Sequence, residues 1–185
     1  MRKLLKRALL AVLTAMLVVA LYVTVQIQTG NFHEVVAGEF YRSGQPNAKD
    51  LERYVKRHGI KSVINLRGEN ADSPWYREEL AASQSLGIMH MDFRMKASRE
   101  MTDAQAKELI ELMRHAPKPL LVHCNAGADR SGLASALYVA AIAKGEEAAA
   151  ERQLSLRYGH VPLWFRESAA MRHTLTRLEP TLYPQ

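Results

Sequence analysis

Cys124 and Arg130 lie in one short segment, HCNAGADRSG at 123–132, and both residue types suit phosphate chemistry. A cysteine thiol is mostly protonated at neutral pH, but backbone N–H groups and a helix N-terminus directed at the sulfur favour the nucleophilic thiolate. The planar guanidinium of an arginine can hold two phosphoryl oxygens and follow them into the transition state. We therefore predict Cys124 as the nucleophile of phosphoryl transfer and Arg130 as the residue that binds phosphate and stabilises the transition state.

The residues between these two are small or polar, which favours a loop that wraps around an anion. The predicted phosphate-binding residues are Asn125, Ala126, Gly127, Ala128, Asp129 and Arg130. Gly127 between two alanines allows a tight curl in which N–H groups converge on a phosphate dianion. We predict that Ser131 donates a hydrogen bond to the Cys124 sulfur and acts as the N-cap of the following helix. His123 is expected to orient the loop through buried hydrogen bonds without acting as a base.

Short apolar runs alternate with amphipathic stretches from residue 31 onward, which predicts one α/β domain. The predicted strands cover 40–42, 60–66, 88–95 and 120–122. The predicted helices cover 48–58, 74–86, 103–115, 131–144, 146–158 and 162–178. Gly59 follows the first helix, Pro74 opens the second, and Thr102 with Gln105 forms a capping box for the third. The last strand delivers the Cys124 loop, and a buried helix follows it.

The segment at 123–132 matches the pattern H-C-x5-R-[ST]-G and resembles the protein tyrosine phosphatase superfamily, in its compact dual-specificity branch. FYRSGQP at 40–46 and IKSVINLRGEN at 60–70 look like the first and second strands of bacterial dual-specificity-like phosphatases. The resemblance extends over residues 40–158. It implies an α/β fold with a single central sheet flanked by helices. It also implies hydrolysis of phosphomonoesters through a phosphocysteine intermediate, without a metal or an organic cofactor.

The general acid is not at the position that the resemblance implies. Relatives usually carry an Asp on the loop after the strand that precedes the signature, and here that position falls at 97–98, where no carboxylate exists. Asp129 fits the pattern C-x-x-G-x-D-R of myotubularin-like and secreted bacterial phosphatases, in which an Asp beside the Arg is proposed as the acid. We rank Asp129 first and Asp92, inside a predicted strand, second. Glu100 and Asp103 come behind them because they suit the start of the following helix.

The first thirty residues have the composition of a membrane anchor. The stretch 8–27 carries no charge and, at about 1.5 Å per residue, is long enough to cross a hydrocarbon core of about 30 Å. Four basic residues precede it, whereas 28–40 contains no Lys or Arg, and this asymmetry predicts an extracytoplasmic catalytic domain. We expect an anchor in 1–30, with one transmembrane helix in a bacterial-type inner membrane, and a phosphatase domain in 31–185. Cleavage as a signal peptide, giving a secreted or periplasmic protein, is the alternative.

Composition narrows the range of partners. The formal net charge is +6, but the N-terminal flank supplies four of these charges, so the rest of the chain gives no indication of nucleic-acid binding. The single cysteine rules out an intramolecular disulfide, and no metal-ligand spacing is present. The expected partners are therefore a phosphorylated substrate and, through the N-terminal helix, the membrane.

The sequence also suggests roles for several side chains outside the loop. Arg42 and Arg67 follow strands and are expected either to point toward the phosphate pocket or to pair with acidic neighbours at the surface. Arg42 is interpreted as a substrate-side or bracing residue. Three residues have the alternation of one buried sheet face: Met89, Met91 and Met95. Three others are interpreted as packing residues between the last helices: Tyr158, His160 and Trp164.

Several functions fit these residues. A protein-tyrosine or dual-specificity phosphatase is preferred, with a phosphorylated protein as its substrate. A phosphoinositide phosphatase, which would act on a phospholipid headgroup, is one alternative, and a catalytically weak phosphate-binding module is another. A rhodanese-like sulfurtransferase fits the Arg-Ser-Gly helix start poorly.

Overall fold

Five short strands form one mixed sheet in the computed structural model, which describes residues 2–161 and 169–184. The strands are β1 (His33–Val36), β2 (Phe40–Ser43), β3 (Ser62–Asn65), β4 (Met89–Asp92) and β5 (Leu120–His123). Their order across the sheet is β1-β2-β5-β3-β4, with β1 antiparallel to β2 and the other neighbours parallel. Because β5 lies between β2 and β3, the loop that follows it emerges at the centre of the carboxyl edge of the sheet.

Helices cover both faces of this sheet. They are α2 (Ala48–His58), α3 (Pro74–Ser85), α4 (Asp103–His115), α5 (Arg130–Ala141), α6 (Glu147–Glu151) and α7 (Ala169–Leu182), with a 3₁₀ turn at Leu156–Tyr158. Helix α1 (Arg2–Gln28) precedes the sheet and covers neither face. Val63 and Leu121 face a core shared with α2 and α3, whereas their neighbours Ile64 and Val122 face the larger core of α4, α5 and α7. The predicted architecture, a single central sheet flanked by helices, is confirmed.

Local sequence signals set the ends of α2 and α4. Gly59 adopts a φ of 66° after α2, a conformation that favours glycine, and its N–H bonds to a carbonyl of the last helical turn. Thr102 and Gln105 form the predicted capping box at the start of α4. The predicted bounds of both helices are confirmed.

The predicted helix over 146–158 is wrong, because α6 is short and is followed by turns and the 3₁₀ segment. Arg42 donates to the Gln153 carbonyl oxygen at 2.8 Å, so this carbonyl is bonded to a side chain from β2. Arg172 donates to the Leu154 carbonyl oxygen in the same way. Tertiary hydrogen bonds therefore override the helical preference of the local sequence.

The edge of the sheet also differs from the prediction. Met89, at the start of β4, is 50% exposed, while Met91 is half-buried and Met95 is buried after the strand. The prediction of one buried methionine face is wrong because the edge position leaves this end of β4 uncovered.

Strands β3 and β4 are shorter than predicted, and β1 was not predicted. The predicted helix start at 162–168, which includes Trp164, lies outside the described residues.

Helix α1 is long, apolar and exposed. Within Lys3–Gln26, an 18-residue window reaches a mean hydropathy of 2.6, and none of that window is buried within the protein. A transmembrane helix and a signal sequence share these properties. Near the end of α1, the Tyr22 hydroxyl and the Gln26 amide each donate to the Arg157 carbonyl oxygen at 3.0 Å. These bonds fix the last turns of α1 against the 3₁₀ segment.

Candidate active site

In the loop after β5, the backbone carbonyl groups point away from the centre of the loop and bond to neighbouring segments. The Asn125 carbonyl accepts from the Gln45 N–H at 3.1 Å, and the next carbonyl along, that of Ala126, accepts from the Asn31 amide at 3.0 Å. The two carbonyls that follow accept from Arg42. No acceptor among the described residues takes the N–H groups of residues 125–130. These N–H groups are available to an anion, which is what the predicted phosphate nest requires.

Gly127 is required where the loop passes β2. Its φ is 72°, and a Cβ atom added here would lie 2.5 Å from the Gly44 nitrogen and 2.7 Å from the Ser43 carbonyl carbon. Any larger residue would therefore push the loop away from β2. The predicted need for glycine at this turn is confirmed.

Arg42 braces the loop from inside the protein. It is fully buried, and its Nη2 atom donates to the carbonyls of Gly127 and Ala128 at 2.8 and 3.0 Å. Its Nη1 atom donates to Gln153, and its guanidinium carbon lies 4.2 Å from the centre of the Tyr158 ring. Burial lowers the pKa of Arg42 to about 10, so the side chain stays charged at neutral pH. Of the two roles expected for Arg42, the structure supports bracing.

A buried carboxylate, Glu79, holds the residue that precedes Cys124. The Nε2 atom of His123 lies 2.8 Å from Glu79 Oε1, and both side chains are fully buried. His90 Nε2 lies 2.8 Å from the same oxygen, and the Gln45 amide donates to Oε2 at 2.5 Å. Burial by itself would raise the pKa of Glu79, but the charge and hydrogen bonds of these neighbours lower it to about 2. His123 thus makes a buried hydrogen bond, as predicted, whereas nothing in the local sequence marks Glu79 as its partner.

Replacing Glu79 with glutamine should lower the free energy of unfolding near neutral pH by about 3 kcal/mol. The reason is that the buried neighbours stabilise the charged carboxylate in the folded protein but not in the unfolded chain. The folded pKa lies below the ordinary value of 4.5, so this contribution is complete above pH 4.5 and is lost as the pH falls toward 2. Denaturant unfolding of the full-length protein in detergent, across this pH range, measures it. Glu78→Gln, an exposed position on the same helix, is the matched control. A Glu79→Gln effect that does not shrink in acid would contradict the assignment.

Two arginines, Arg130 and Arg67, add positive charge beside the loop. Arg130 is half-buried, and its Nη1 atom donates to the Met95 carbonyl oxygen at 3.3 Å. Arg67 Nη1 donates to Gln45 at 2.8 Å, and its guanidinium carbon stacks 3.5 Å from the centre of the Trp75 ring. Burial lowers the pKa of Arg67, and the charge of Arg130 lowers it further, which indicates that the two cations are close.

Ser131 differs from its prediction. It is the second residue of α5, and Asp129 occupies the N-cap without a side-chain capping bond. The Ser131 hydroxyl donates to the Ser43 carbonyl oxygen at 3.3 Å. The predicted N-cap role is therefore wrong, and the hydroxyl is directed at β2 instead of at the Cys124 sulfur.

The lower-ranked candidate acids are engaged in other contacts. Asp92 accepts hydrogen bonds from the Tyr76 hydroxyl and, at 2.8 Å, from the Asn65 amide. Burial and the bond to Asp92 raise the pKa of Tyr76. Glu100 lies 3.7 Å from Arg177 of α7. Within the described ranges, no group of three or more Asp, Glu, His or Cys side chains is arranged to hold a metal ion.

The segment between α1 and β1 contacts the loop directly. Asn31 is 1% exposed, and its amide donates to the carbonyls of Ala126 and Tyr158 at 3.0 and 2.8 Å. The Oδ1 atom of Asn31 lies 2.9 Å from His33 Nε2. Burial, followed by the charges of two nearby arginines, lowers the pKa of His33 to about 4, so the imidazole is neutral at neutral pH. The segment that directly follows the predicted anchor thus forms part of the surroundings of the loop.

Comparison with known families gives a match over most of the chain. The family described as DSP-PTPase phosphatase fused to NAD+ kinase matches residues 17–172. The chain belongs to this DSP-PTPase family. The predicted resemblance to bacterial dual-specificity-like phosphatases is confirmed, and a cysteine-dependent mechanism follows from the family. The Cupriavidus necator protein H16_A0669, which is named for tyrosine-protein phosphatase activity, is 32% identical over 140 aligned positions, which cover 60% of this chain and 50% of the relative. The chain therefore spans about half the length of that relative.

Solved phosphatase structures share the fold of this DSP-PTPase. P. aeruginosa TpbA superposes with a TM-score of 0.60 at 22% identity, over 84% of this chain and 92% of TpbA. The catalytic core of the PP-IP phosphatase Siw14 from S. cerevisiae gives 0.61 at 20% identity, over 83% of this chain and 94% of Siw14. PTPMT1 in complex with PI(5)P gives 0.59 at 13% identity, over 80% and 96% of the two chains. At these identities the likeness establishes the fold alone.

Proposed function

We propose that this DSP-PTPase is a protein-tyrosine or dual-specificity phosphatase in which Cys124 attacks the phosphorus of a phosphomonoester. The observation that carries the proposal is the hydrogen bonding of the loop. Its carbonyls at 125–128 accept hydrogen bonds from segments around the loop. Its N–H groups have no acceptor in the described part of the chain. Such N–H groups stabilise a thiolate and a phosphoryl dianion alike. The positive charges of Arg130 and Arg67 reinforce both effects.

In the first step the Cys124 thiolate forms an S–P bond while the P–O bond to the leaving group breaks. The guanidinium of Arg130 holds the equatorial phosphoryl oxygens as they flatten in the transition state. The leaving oxygen takes a proton from the Asp129 carboxyl, so an alcohol or a phenol departs and a carboxylate remains. The product on the enzyme is a phosphocysteine.

In the second step a water molecule attacks the phosphocysteine. An O–P bond forms, the S–P bond breaks, and the electron pair of that bond returns to Cys124 as a thiolate. The water proton passes to the Asp129 carboxylate, which restores the acid for the next cycle. Inorganic phosphate then leaves the loop.

Asp129→Asn should lower kcat/KM, which reports the steps up to formation of the phosphocysteine, by about 10²-fold for phosphotyrosine, whose leaving group needs a proton. The loss in kcat/KM should be much smaller for p-nitrophenyl phosphate, whose leaving group does not need one. The basic limb of the kcat profile against pH should also disappear. Asp92→Asn is the matched control, since Asp92 is bonded to Tyr76 and Asn65. If Asp92→Asn alone loses the limb, the ranking is reversed, and if neither does, both assignments are wrong.

A phosphoprotein is the proposed substrate, and a phosphoinositide headgroup is the alternative. TpbA has been crystallised with pTyr, and its fold covers 85% of this chain. The position of α1 favours the phosphoinositide alternative. Asn31, shortly after the end of α1, bonds to the loop, so a membrane anchor in α1 would hold the phosphate pocket near lipid headgroups. The structure of PTPMT1 with PI(5)P provides a second reason to test it.

A side-by-side assay of the full-length protein decides between these substrates. A phosphotyrosine peptide and a phosphoinositide in mixed vesicles would be compared by kcat/KM, with Cys124→Ser as the control. We expect the higher value for the peptide. A higher value for the lipid would replace the proposed substrate with the alternative, and turnover of neither would favour a phosphate-binding module.

We also propose that α1 spans an inner membrane once and that the catalytic domain lies on the extracytoplasmic side. The uncharged stretch 8–27 and the four basic residues before it support this topology. Protease added to spheroplasts should digest the domain, and the mature protein should retain α1 by mass. A mature chain that begins after α1 would show the signal-peptide alternative.

A further inference from the structure

His160 is held rigidly against Asp129 by the segment that follows α6. Its side chain is fully buried, and its Nδ1 atom lies 2.7 Å from Asp129 Oδ1. Its own N–H donates to the Ser155 carbonyl oxygen at 3.1 Å, and Gly159 before it adopts a φ of 78°. The backbone therefore fixes where this imidazole can lie. Packing alone, the role predicted from the sequence, does not account for the contact with Asp129.

The tautomer of His160 follows from its second nitrogen. Nε2 is buried and has no hydrogen-bond partner in the part of the chain that the structure describes. An unpaired buried N–H is less tolerable than an unpaired lone pair, so the proton belongs on Nδ1. In this tautomer the imidazole donates a hydrogen bond to Asp129 Oδ1.

Asp129 has one oxygen engaged and one available. As the N-cap of α5 it makes no capping bond, and its side chain is 29% exposed. Oδ2 accepts no hydrogen bond from any residue within 2–161 and 169–184. The carboxyl is thus held through Oδ1 while Oδ2 can exchange a proton with substrate or water.

We infer that His160 is a positioning residue for Asp129, holding the carboxyl through Oδ1 so that Oδ2 donates the proton to the leaving group. The inference rests on the proposed function of Asp129. When the Oδ2 proton moves to the leaving oxygen, the new carboxylate keeps the Nδ1–H hydrogen bond, which stabilises the product of that transfer. His160 keeps its own proton in both steps, and water returns the proton to Oδ2.

A matched pair of variants separates positioning from packing. The amide of an asparagine at 160 can take the place of Nδ1, whereas the longer glutamine side chain places its amide nearer the position of Nε2. We expect His160→Gln to lose about tenfold or more in kcat/KM, which reports the steps up to formation of the phosphocysteine, for a phosphotyrosine peptide and little for p-nitrophenyl phosphate. His160→Asn should retain most of the activity with both substrates. Inhibition by inorganic phosphate and KM should change little, because the loop N–H groups and Arg130 bind the phosphoryl group.

The controls address folding and the proposed function separately. His115→Gln, at an exposed position on α4, should behave as wild type. Combining His160→Gln with Asp129→Asn should add no further loss, because both act on one proton transfer. Equal losses with both leaving groups, full additivity in the double variant, or no rescue by asparagine would overturn the inference. If Asp129→Asn itself shows no dependence on the leaving group, the proposed acid fails first, and the inference fails with it.

Discussion

Replacing Cys124 with serine should lower kcat by about 10⁴-fold or more while the protein still binds inorganic phosphate. The surroundings that favour a thiolate leave a serine hydroxyl protonated, and a protonated hydroxyl is a poor nucleophile without a neighbouring base. The loop N–H groups and Arg130 are untouched, so the anion site remains. Turnover of a phosphotyrosine peptide and calorimetric binding of phosphate, both on full-length protein in detergent, measure the two effects.

Two observations would argue against this assignment of Cys124. Activity within about tenfold of wild type would show that another group receives the phosphoryl group. If the variant lost both phosphate binding and turnover, serine would have altered the loop itself. A thermal unfolding curve matching that of wild type is the control for the fold.

Arg130→Lys should lower kcat by about 10²–10³-fold and raise KM, because lysine keeps the charge but cannot hold two phosphoryl oxygens in one plane. Arg67→Lys is the matched control, since Arg67 supplies charge beside the loop while its guanidinium stacks on Trp75. We expect a much smaller change in kcat for that variant. Steady-state kinetics with one phosphotyrosine peptide compares them directly.

The comparison of the two lysine variants is informative in either direction. A kcat close to that of wild type in both lysine variants would mean that charge, and not the planar fork of Arg130, accounts for the stabilisation of the transition state. A larger loss at Arg67 would move the phosphate-gripping role to that residue and contradict the proposed mechanism.

Much of the site could be predicted because its signals are local. The curl of the loop depends on Gly127, whose neighbours are small, and on a buried strand and helix directly on either side. The ends of α2 and α4 depend on caps within a few residues of each helix. Steric limits and short hydrogen bonds of this kind act over one turn, so the residue types reveal them.

The features that the sequence did not reveal depend on contacts between distant segments. Glu79 is 44 positions from His123, and His160 is 31 positions from Asp129. Arg42 bonds to Gln153, 111 positions away and just after the end of α6. Single polar residues in an amphipathic helix or a turn give no indication of such partners, because burial and pairing arise only when the whole sheet assembles.

Trapping the phosphocysteine tests the central claim most directly. Full-length protein would be mixed with a phosphotyrosine substrate, quenched in denaturant within one turnover, digested, and analysed by mass spectrometry. The proposed mechanism predicts one phosphoryl group on the peptide that contains Cys124, and none on the same peptide of Cys124→Ser. Release of inorganic phosphate in the first turnover with no phosphoryl group on Cys124 would contradict it, since the phosphoryl group would then pass to water directly.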